Sequence, residues 1–410
     1  LLAYIALTRL LQPLMPIHLW RRRRKHKEHQ QRWPEKMGRA MADRPEGRLV
    51  WLHAVGLGEA LALRGLISRL SVREDLSFLV TSGTRVSGEI LSRDLPPHAQ
   101  HQFMPFDLPG PSKRFLDHWH PDLAVWSEQD LWPGLVMRSD IRGIPLVLVN
   151  ARMNADAYAR RSRFKPIYAD ILPRFALISA QDDRSAFHLR ALGAPKVHID
   201  GSLKVIAPPL MVDPEIIVEL RKALKGRFIW VVGSSHAEDE ALAILAHKAV
   251  LARDPTALLI IAPRRPQRVA EIAKNVADAE MSVALRSRGA DPTAQVYIAD
   301  TFGEMGLWYS LTQVVYVGGT NGSTEGHNPW EPLALGAAVL HGPQTANFKE
   351  DYAALASADG AKLVNKPNEL AALLVPEVLW PLRDRGQAVR RARMDQMDGL
   401  CQSLLDLILD

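Results

Sequence analysis

Cysteine is nearly missing from this chain. Of 410 residues only Cys401 carries a thiol, so an internal disulfide and a thiolate zinc cluster are both excluded, and a cytosolic compartment fits. Uninterrupted apolar sequence is scarce too: the most apolar stretch, LLAYIALTRLLQPLMPIHLW at 1–20, is broken by Arg9, Pro13, Pro16 and His18. A clean spanning helix needs about 20 mostly apolar residues. There is no CxxC, no HExxH, no GxxxxGK[ST] loop, no complete GxGxxG and no GxSxG, and no two aspartates stand at i, i+2. Hydride transfer and serine hydrolysis therefore lack their signatures, as does the paired-carboxylate motif that commonly holds a metal–nucleotide. Internal repeats and low-complexity segments are absent as well. What remains is a globular composition, 47% hydrophobic and 23% charged, at a length that suggests two domains.

The net charge of +6 is local. Residues 21–40, RRRRKHKEHQQRWPEKMGRA, hold nine Lys or Arg against two Glu, and the rest of the chain is close to neutral. A nucleic-acid binder would spread its cations over a face or groove, so no nucleic-acid partner is expected. Here the cluster directly follows the apolar stretch, which points to a membrane. Two forms of anchor are compatible with it: a short single-pass or re-entrant segment, or an amphipathic one lying in the interface. Either would set the cations against anionic lipids at the cytoplasmic surface. A solvated basic helix is the plainer reading, and a cleaved secretory signal is disfavoured because the charges follow the apolar run. The chain begins with Leu1 rather than Met, so a portion upstream is also expected.

From residue 49 short apolar runs alternate with helical periods, as in βα repeats that build parallel sheets. Strands are expected near 49–54, 77–81, 101–104, 122–126, 145–149, 175–180 and 196–200, then near 228–232, 257–261, 296–299, 313–317 and 337–341. Between the two series IAPPLMVDP at 206–214, with three prolines, reads as a linker. The expected organisation is an anchor and basic segment at 1–40, a first domain at 41–205, the linker at 206–214, and a second domain at 215–410 closed by terminal helices. The fold class is α/β, with two doubly wound domains facing a cleft.

In such sheets ligands bind beyond the carboxyl ends of the strands. The first strand runs into HAVGLGEALALRGLI, which sets Glu59 at a helix start, where it suits either a general base or a complement to the helix dipole. The fourth runs into WSEQDLWPGL, with Glu128 and Asp130 beside tryptophans, where Asp130 could equally cap a helix. In the second domain GSSHAEDE at 233–240 offers hydroxyls and His236 at a helix start, the geometry for an anion on free amides. APRRPQR at 262–268 adds Arg264, Arg265 and Arg268, for which a phosphate or carboxylate ligand is the economical explanation. ADTFGEMGLWYS at 299–310 and GGTNGSTEGHNPWEPLALG at 318–336 follow, the latter joining a Gly-rich turn to Asn328, Pro329 and Glu331. Pro329 suits a first helical position.

Taken in order, HAVGLGE, SEQDLWP, NARM, GSLK, GSSH, PRRPQR, DTFGE, GHNPWEP and GPQTANF resemble the Kdo transferases of lipopolysaccharide synthesis, over nearly the whole chain. The resemblance implies a GT-B fold and inverting, metal-independent transfer, without a cofactor, of the acidic sugar Kdo from CMP-Kdo to a lipid A precursor of the lipid IVA type. It implies the cytoplasmic face of the inner membrane as the place. Glu59 matches the family's general base, and Glu128, Lys204 and Arg152 match acceptor- or sugar-side positions. Ser234, Ser235, His236, Arg264, Gly303, Glu304, Asn328 and Glu331 match donor-side positions that meet CMP. Departures from the family pattern include Gly56 for serine, Asp130 for glutamate, Ser235 for threonine and Arg265 for histidine. NARMNADA at 150–157 also lacks an arginine and two serines of that pattern. The residues alone leave two other readings open: a different sugar-nucleotide transferase or epimerase of the same fold, and a non-catalytic membrane-peripheral protein that binds an anionic lipid or nucleotide.

Overall fold

The computed structural model describes residues 2–289 and 293–409. The chain separates into two compact units, Leu1–Pro208 together with Met394–Asp410, and Pro209–Arg393.

The first unit holds a sheet of β1 (Arg48–His53), β2 (Leu76–Ser82), β3 (Ala99–Phe103), β4 (Leu123–Ser127), β5 (Leu146–Ala151), β6 (Leu177–Ala180) and β7 (His198–Ile199). The strands are parallel, in the order β3-β2-β1-β4-β5-β6-β7. Helices on the faces cover the central strands, which is why LVWLH and LAVWS read as near-continuous apolar runs instead of alternating. Trp51, Trp126 and Phe115 pack against one another in that core, with ring centroids 4.9 and 5.3 Å apart.

The second unit repeats the plan with β8 (Ile229–Ser235), β9 (Leu258–Pro263), β10 (Val283–Leu285), β11 (Val296–Ile298), β12 (Val314–Val317), β13 (Ala338–His341) and β14 (Ala361–Leu363). Its order is β10-β11-β9-β8-β12-β13-β14, again parallel. The two strands absent from the sequence reading, β10 and β14, are three-residue edges that are only partly buried, unlike the equally short but fully buried β11.

The division differs from the expected one at the end of the chain. The helix Pro376–Leu409 starts in the second unit, but its last turns belong to the first. Met397, Leu400, Cys401, Leu404 and Ile408 recur at helical spacing and are buried, while Arg48 donates to Ile408 O at 2.9 Å and Arg69 pairs with Asp398 at 2.7 Å.

The N-terminal segment is two short helices. Pro13 and Pro16 divide it into helices Leu2–Leu11 and Met15–Arg24 around a 3₁₀ turn, Gln12–Leu14. Each helix is roughly 15 Å long, half a hydrocarbon core. Among the described residues no helix is long and apolar enough to cross a membrane. The segment docks on its own unit through Tyr4 Oη to Asp107 at 2.8 Å and Gly110 N–H to Gln12 at 2.7 Å. Leu7, Leu10, Leu14, Ile17 and Trp20 stay exposed. Part of the basic cluster is structural: Arg22 and Lys36 both pair with buried Glu28, and Arg32 binds Glu35.

Candidate functional site

In each sheet the strand order reverses beside a central strand, between β1 and β4 in the first and between β8 and β12 in the second. The crevice outside the strand ends at such a point is the favoured ligand position in doubly wound sheets. Glu59 and Glu128 come directly after β1 and β4; Ser234, Ser235 and His236 end or follow β8, and the Gly-rich turn follows β12.

In the first unit the helix Leu57–Leu70 opens on Gly56, which has no side chain to cap it. Glu59 supplies an acceptor instead, its Oε2 taking the Val55 N–H at 2.8 Å. The carboxylate is thereby fixed beside the end of β1. Glu128 sits at φ +62, in the left-handed region that non-glycine residues avoid. Burial and then the negative charge of Glu59 push its carboxyl up to about 7, while Lys204 and Arg152 pull it back. The four residues singled out in this unit therefore form one electrostatic neighbourhood.

Asn150 explains how Lys204 arrives there. The register of β5 against β6 slips between Leu148 and Ala151, and Asn150 takes φ +55 at this bulge. Its Oδ1 accepts Leu203 N–H at 3.0 Å, which fixes the 3₁₀ turn Leu203–Ile206. Gly65 lets the Glu59 helix close on the same turn, since a Cβ there would stand 2.2 Å from Ile206 O. Asp130 caps no helix: the helix Pro133–Ile141 starts behind Trp132 without a side-chain cap. Its Oδ2 accepts the Trp132 indole N–H at 2.9 Å and lies 3.8 Å from His53 Nε2. Burial alone would raise this carboxyl, but His53 and Trp132 hold it below the usual carboxylate range.

In the second unit Ser234 stands at a matching bulge, with φ +54 and a register slip between Gly233 and Ser235. Its side chain meets Tyr309, whose phenol is fully buried and pushed well up, by burial first and Glu331 second. Gly233 leaves room for that phenol, because a Cβ there would come within 2.3 Å of its oxygen. Ser235 turns inward, its hydroxyl donating to buried Glu240 at 2.9 Å. His236 is the N-cap of the helix Ala237–Leu251, and its ring meets that of His327, with Nε2 atoms 3.2 Å apart.

The three arginines after β9 divide. Arg264 and Arg265 are exposed and make no side-chain hydrogen bond or ion pair among the described residues, whereas Arg268 is held by Glu240 and Glu271. Arg268 therefore belongs to the scaffold and not to the expected ligand set. Glu304 follows Gly303, which takes φ +86, and its carboxylate is engaged by Arg286 at 2.7 Å and by Thr301. Burial would raise Glu304, and these two partners hold it low. Asn328 accepts Trp330 N–H at 3.1 Å and donates to Glu331 at 3.2 Å, and the short helix Trp330–Ala334 starts one residue after Pro329.

Asp239 was not singled out in the sequence, yet it ties this end of the unit together. Its fully buried carboxylate accepts His236 N–H at 2.9 Å, Gly319 N–H at 2.6 Å, Asn321 N–H at 3.3 Å and Asn321 Nδ2 at 3.1 Å. The helix start and the Gly-rich turn are thereby joined. Its place three residues after the N-cap is the capping-box spacing, the one signal that could have found it. Among the described residues no three His, Cys, Asp or Glu side chains are grouped so as to hold a metal ion.

Residues 31–207 match the family model described as 3-deoxy-D-manno-octulosonic-acid transferase (kdotransferase). A probable mitochondrial 3-deoxy-D-manno-octulosonic acid transferase of Arabidopsis thaliana is 32% identical, over 98% of this chain and 93% of its own. The 3-deoxy-D-manno-octulosonic acid transferase of Haemophilus influenzae is 31% identical, over 99% and 97%. Among solved structures, the UDP-GlcNAc 2-epimerase of Neisseria meningitidis aligns over 85% of this chain and 99% of its own, at a TM-score of 0.55 and 14% identity, a likeness of fold.

Proposed function

The chain belongs to the 3-deoxy-D-manno-octulosonic acid (Kdo) transferase family and is a glycosyltransferase, and from that premise we propose that it moves Kdo from CMP-Kdo to a lipid A precursor of the lipid IVA type in lipopolysaccharide biosynthesis. The observation that carries this reading is the gathering of Glu59, Glu128, Lys204 and Arg152 at the switch point of the first sheet. Glu59, held by the Val55 amide, takes the proton of the attacking acceptor hydroxyl. Base catalysis of this kind contributes typically about 10²–10⁴-fold. The cations beside it suit the carboxylate of an acidic sugar.

Donor recognition falls to the second unit. Arg264, Arg265 and the amides at the start of the helix Ala237–Leu251 suit the phosphate of CMP, and Asn328 and Glu331 suit its ribose. Direct attack at the anomeric carbon inverts its configuration and requires no protein nucleophile, in the single-displacement logic of inverting glycosidases. The exposed Leu10, Leu14, Ile17 and Trp20, with Arg21, Arg23, Arg24, Lys25 and Lys27 next in sequence, favour an interfacial anchor on anionic lipid at the cytoplasmic face of the inner membrane.

The test is transfer of labelled Kdo from freshly made CMP-Kdo to a tetraacylated lipid A precursor in detergent, wild type beside Glu59→Gln, with products read by mass. Whole Kdo masses gained only with wild type are expected; undiminished transfer by the variant would remove Glu59 as base. Flotation on anionic vesicles, lost in Leu10→Glu with Leu14→Glu, tests the anchor.

A further inference from the structure

His327 lies in the Gly-rich segment after β12, and its imidazole packs against that of His236 with ring centroids 5.4 Å apart and planes 16° from parallel. The two Nε2 atoms are 3.2 Å apart. At that separation one nitrogen donates and the other accepts, so a single proton occupies the shared edge. Its place is tightly determined. Gly319, at φ +69, has no room for a side chain because a Cβ would come within 3.0 Å of the His327 ring, and Tyr352 Oη donates to His327 O at 3.0 Å.

The charged and polar groups facing the pair come from three places in the chain. Glu238 and Asp239 lie on the His236 helix, Arg264, Arg265 and Arg268 follow β9, and Thr324 stands 3.5 Å from the His236 ring. Burial first, then His236 and Arg264, hold His327 down to about 4; burial also lowers His236 against the pull of Asp239 and Glu238. Two guanidinium groups that are unpaired among the described residues, Arg264 and Arg265, thus face an imidazole pair whose protonation burial opposes. A doubly charged phosphate placed there would reverse the balance, because an opposite charge at close range favours the imidazolium.

We propose that the His236–His327 pair takes up one proton from solvent when a phosphate monoester binds beside Arg264, and that this proton matches the charge the leaving phosphate gains during transfer. The inference rests on the donor reading given above. In that reaction a bond forms between the acceptor oxygen and the anomeric carbon, and the bond from that carbon to the phosphate oxygen breaks with its electron pair on the phosphate. The hydroxyl proton goes to Glu59. The phosphate passes from one negative charge, as a diester, to two as a monoester, and the protonated pair donates a hydrogen bond to the freed oxygen. His236 and His327 are then residues of the donor site with a defined task, holding a proton where the departing group becomes basic.

Calorimetric titration of the full chain with CMP, starting at about pH 8, where the phosphate is fully ionised, in buffers of different ionisation enthalpy, counts the protons exchanged. Proton uptake per CMP that grows as the pH is lowered from about 8 toward about 7 is expected for wild type, with none for cytidine and much less for His327→Gln or His236→Gln. CMP binding without proton uptake in wild type overturns the pair's role while leaving the donor site standing, and that count needs no variant to fold. Uptake undiminished in both variants overturns it equally. Absence of any CMP binding overturns the donor reading itself, and this inference with it.

Discussion

The first unit's switch point gathers Glu59 and Glu128 against Lys204 and Arg152, whereas the second unit's gathers His236 and His327 beside Arg264 and Arg265, with Asp239 and Glu240 already spent on internal bonds. Nearly the same strand order underlies both, and both use a bulge with a left-handed non-glycine residue at a strand end, Asn150 in one and Ser234 in the other. The shared topology selects where a ligand can sit. The side chains at that place decide what chemistry a unit can support, which is why fold alone does not assign chemistry.

The sharpest way to break this contrast is Glu59→Gln, which should lower kcat/KM for transfer by about 10²–10⁴-fold and leave CMP affinity unchanged. A loss of CMP binding would show that the two roles are not separable by unit. Next, Asp239→Ala strips four donors of their acceptor, and a buried unsatisfied group costs about 1–3 kcal/mol. Hydrogen exchange should accelerate across residues 318–328, with the first unit's sheet unaffected. Arg264→Ala should weaken CMP binding by roughly tenfold, the scale of one charge-assisted contact, and leave the binding of cytidine, which has no phosphate, as it was, measured by calorimetry.

The mildest change concerns pH. Glu128 is raised to about 7 from an ordinary 4.5, so the folded state binds its proton more tightly than the unfolded chain does. Its stabilising contribution is fully present below about 4.5 and is lost as pH rises through 7. Glu128→Gln should flatten this fall in denaturation midpoints measured between those limits; an unchanged slope would show that the Glu128 carboxyl is not raised by its burial and by Glu59.

The alternation of apolar runs was legible because strands covered on both faces cannot hide their composition, and it located the central strands of both sheets. The edge strands β10 and β14 were not legible, since as half-exposed edges they lack the fully buried apolar run that marks the equally short β11. Arg264 and Arg268 looked alike in APRRPQR, yet one is exposed and unpaired among the described residues and the other is bound to Glu240 and Glu271. Spacing along a chain does not report which cation a distant carboxylate will claim.

The sequence by itself determined two parallel α/β sheets and the strand ends where chemistry could stand, because local periodicity and the crossover rule act on contiguous residues. It also determined the family, through short motifs kept in order. Only the tertiary structure decided that Asn150 carries Lys204 toward Glu59 and Glu128, that Asp239 binds the Gly-rich turn to the His236 helix, and that the His236 and His327 rings meet. Each of these joins residues tens of positions apart, and their charge states depend on burial and neighbours that exist only after folding.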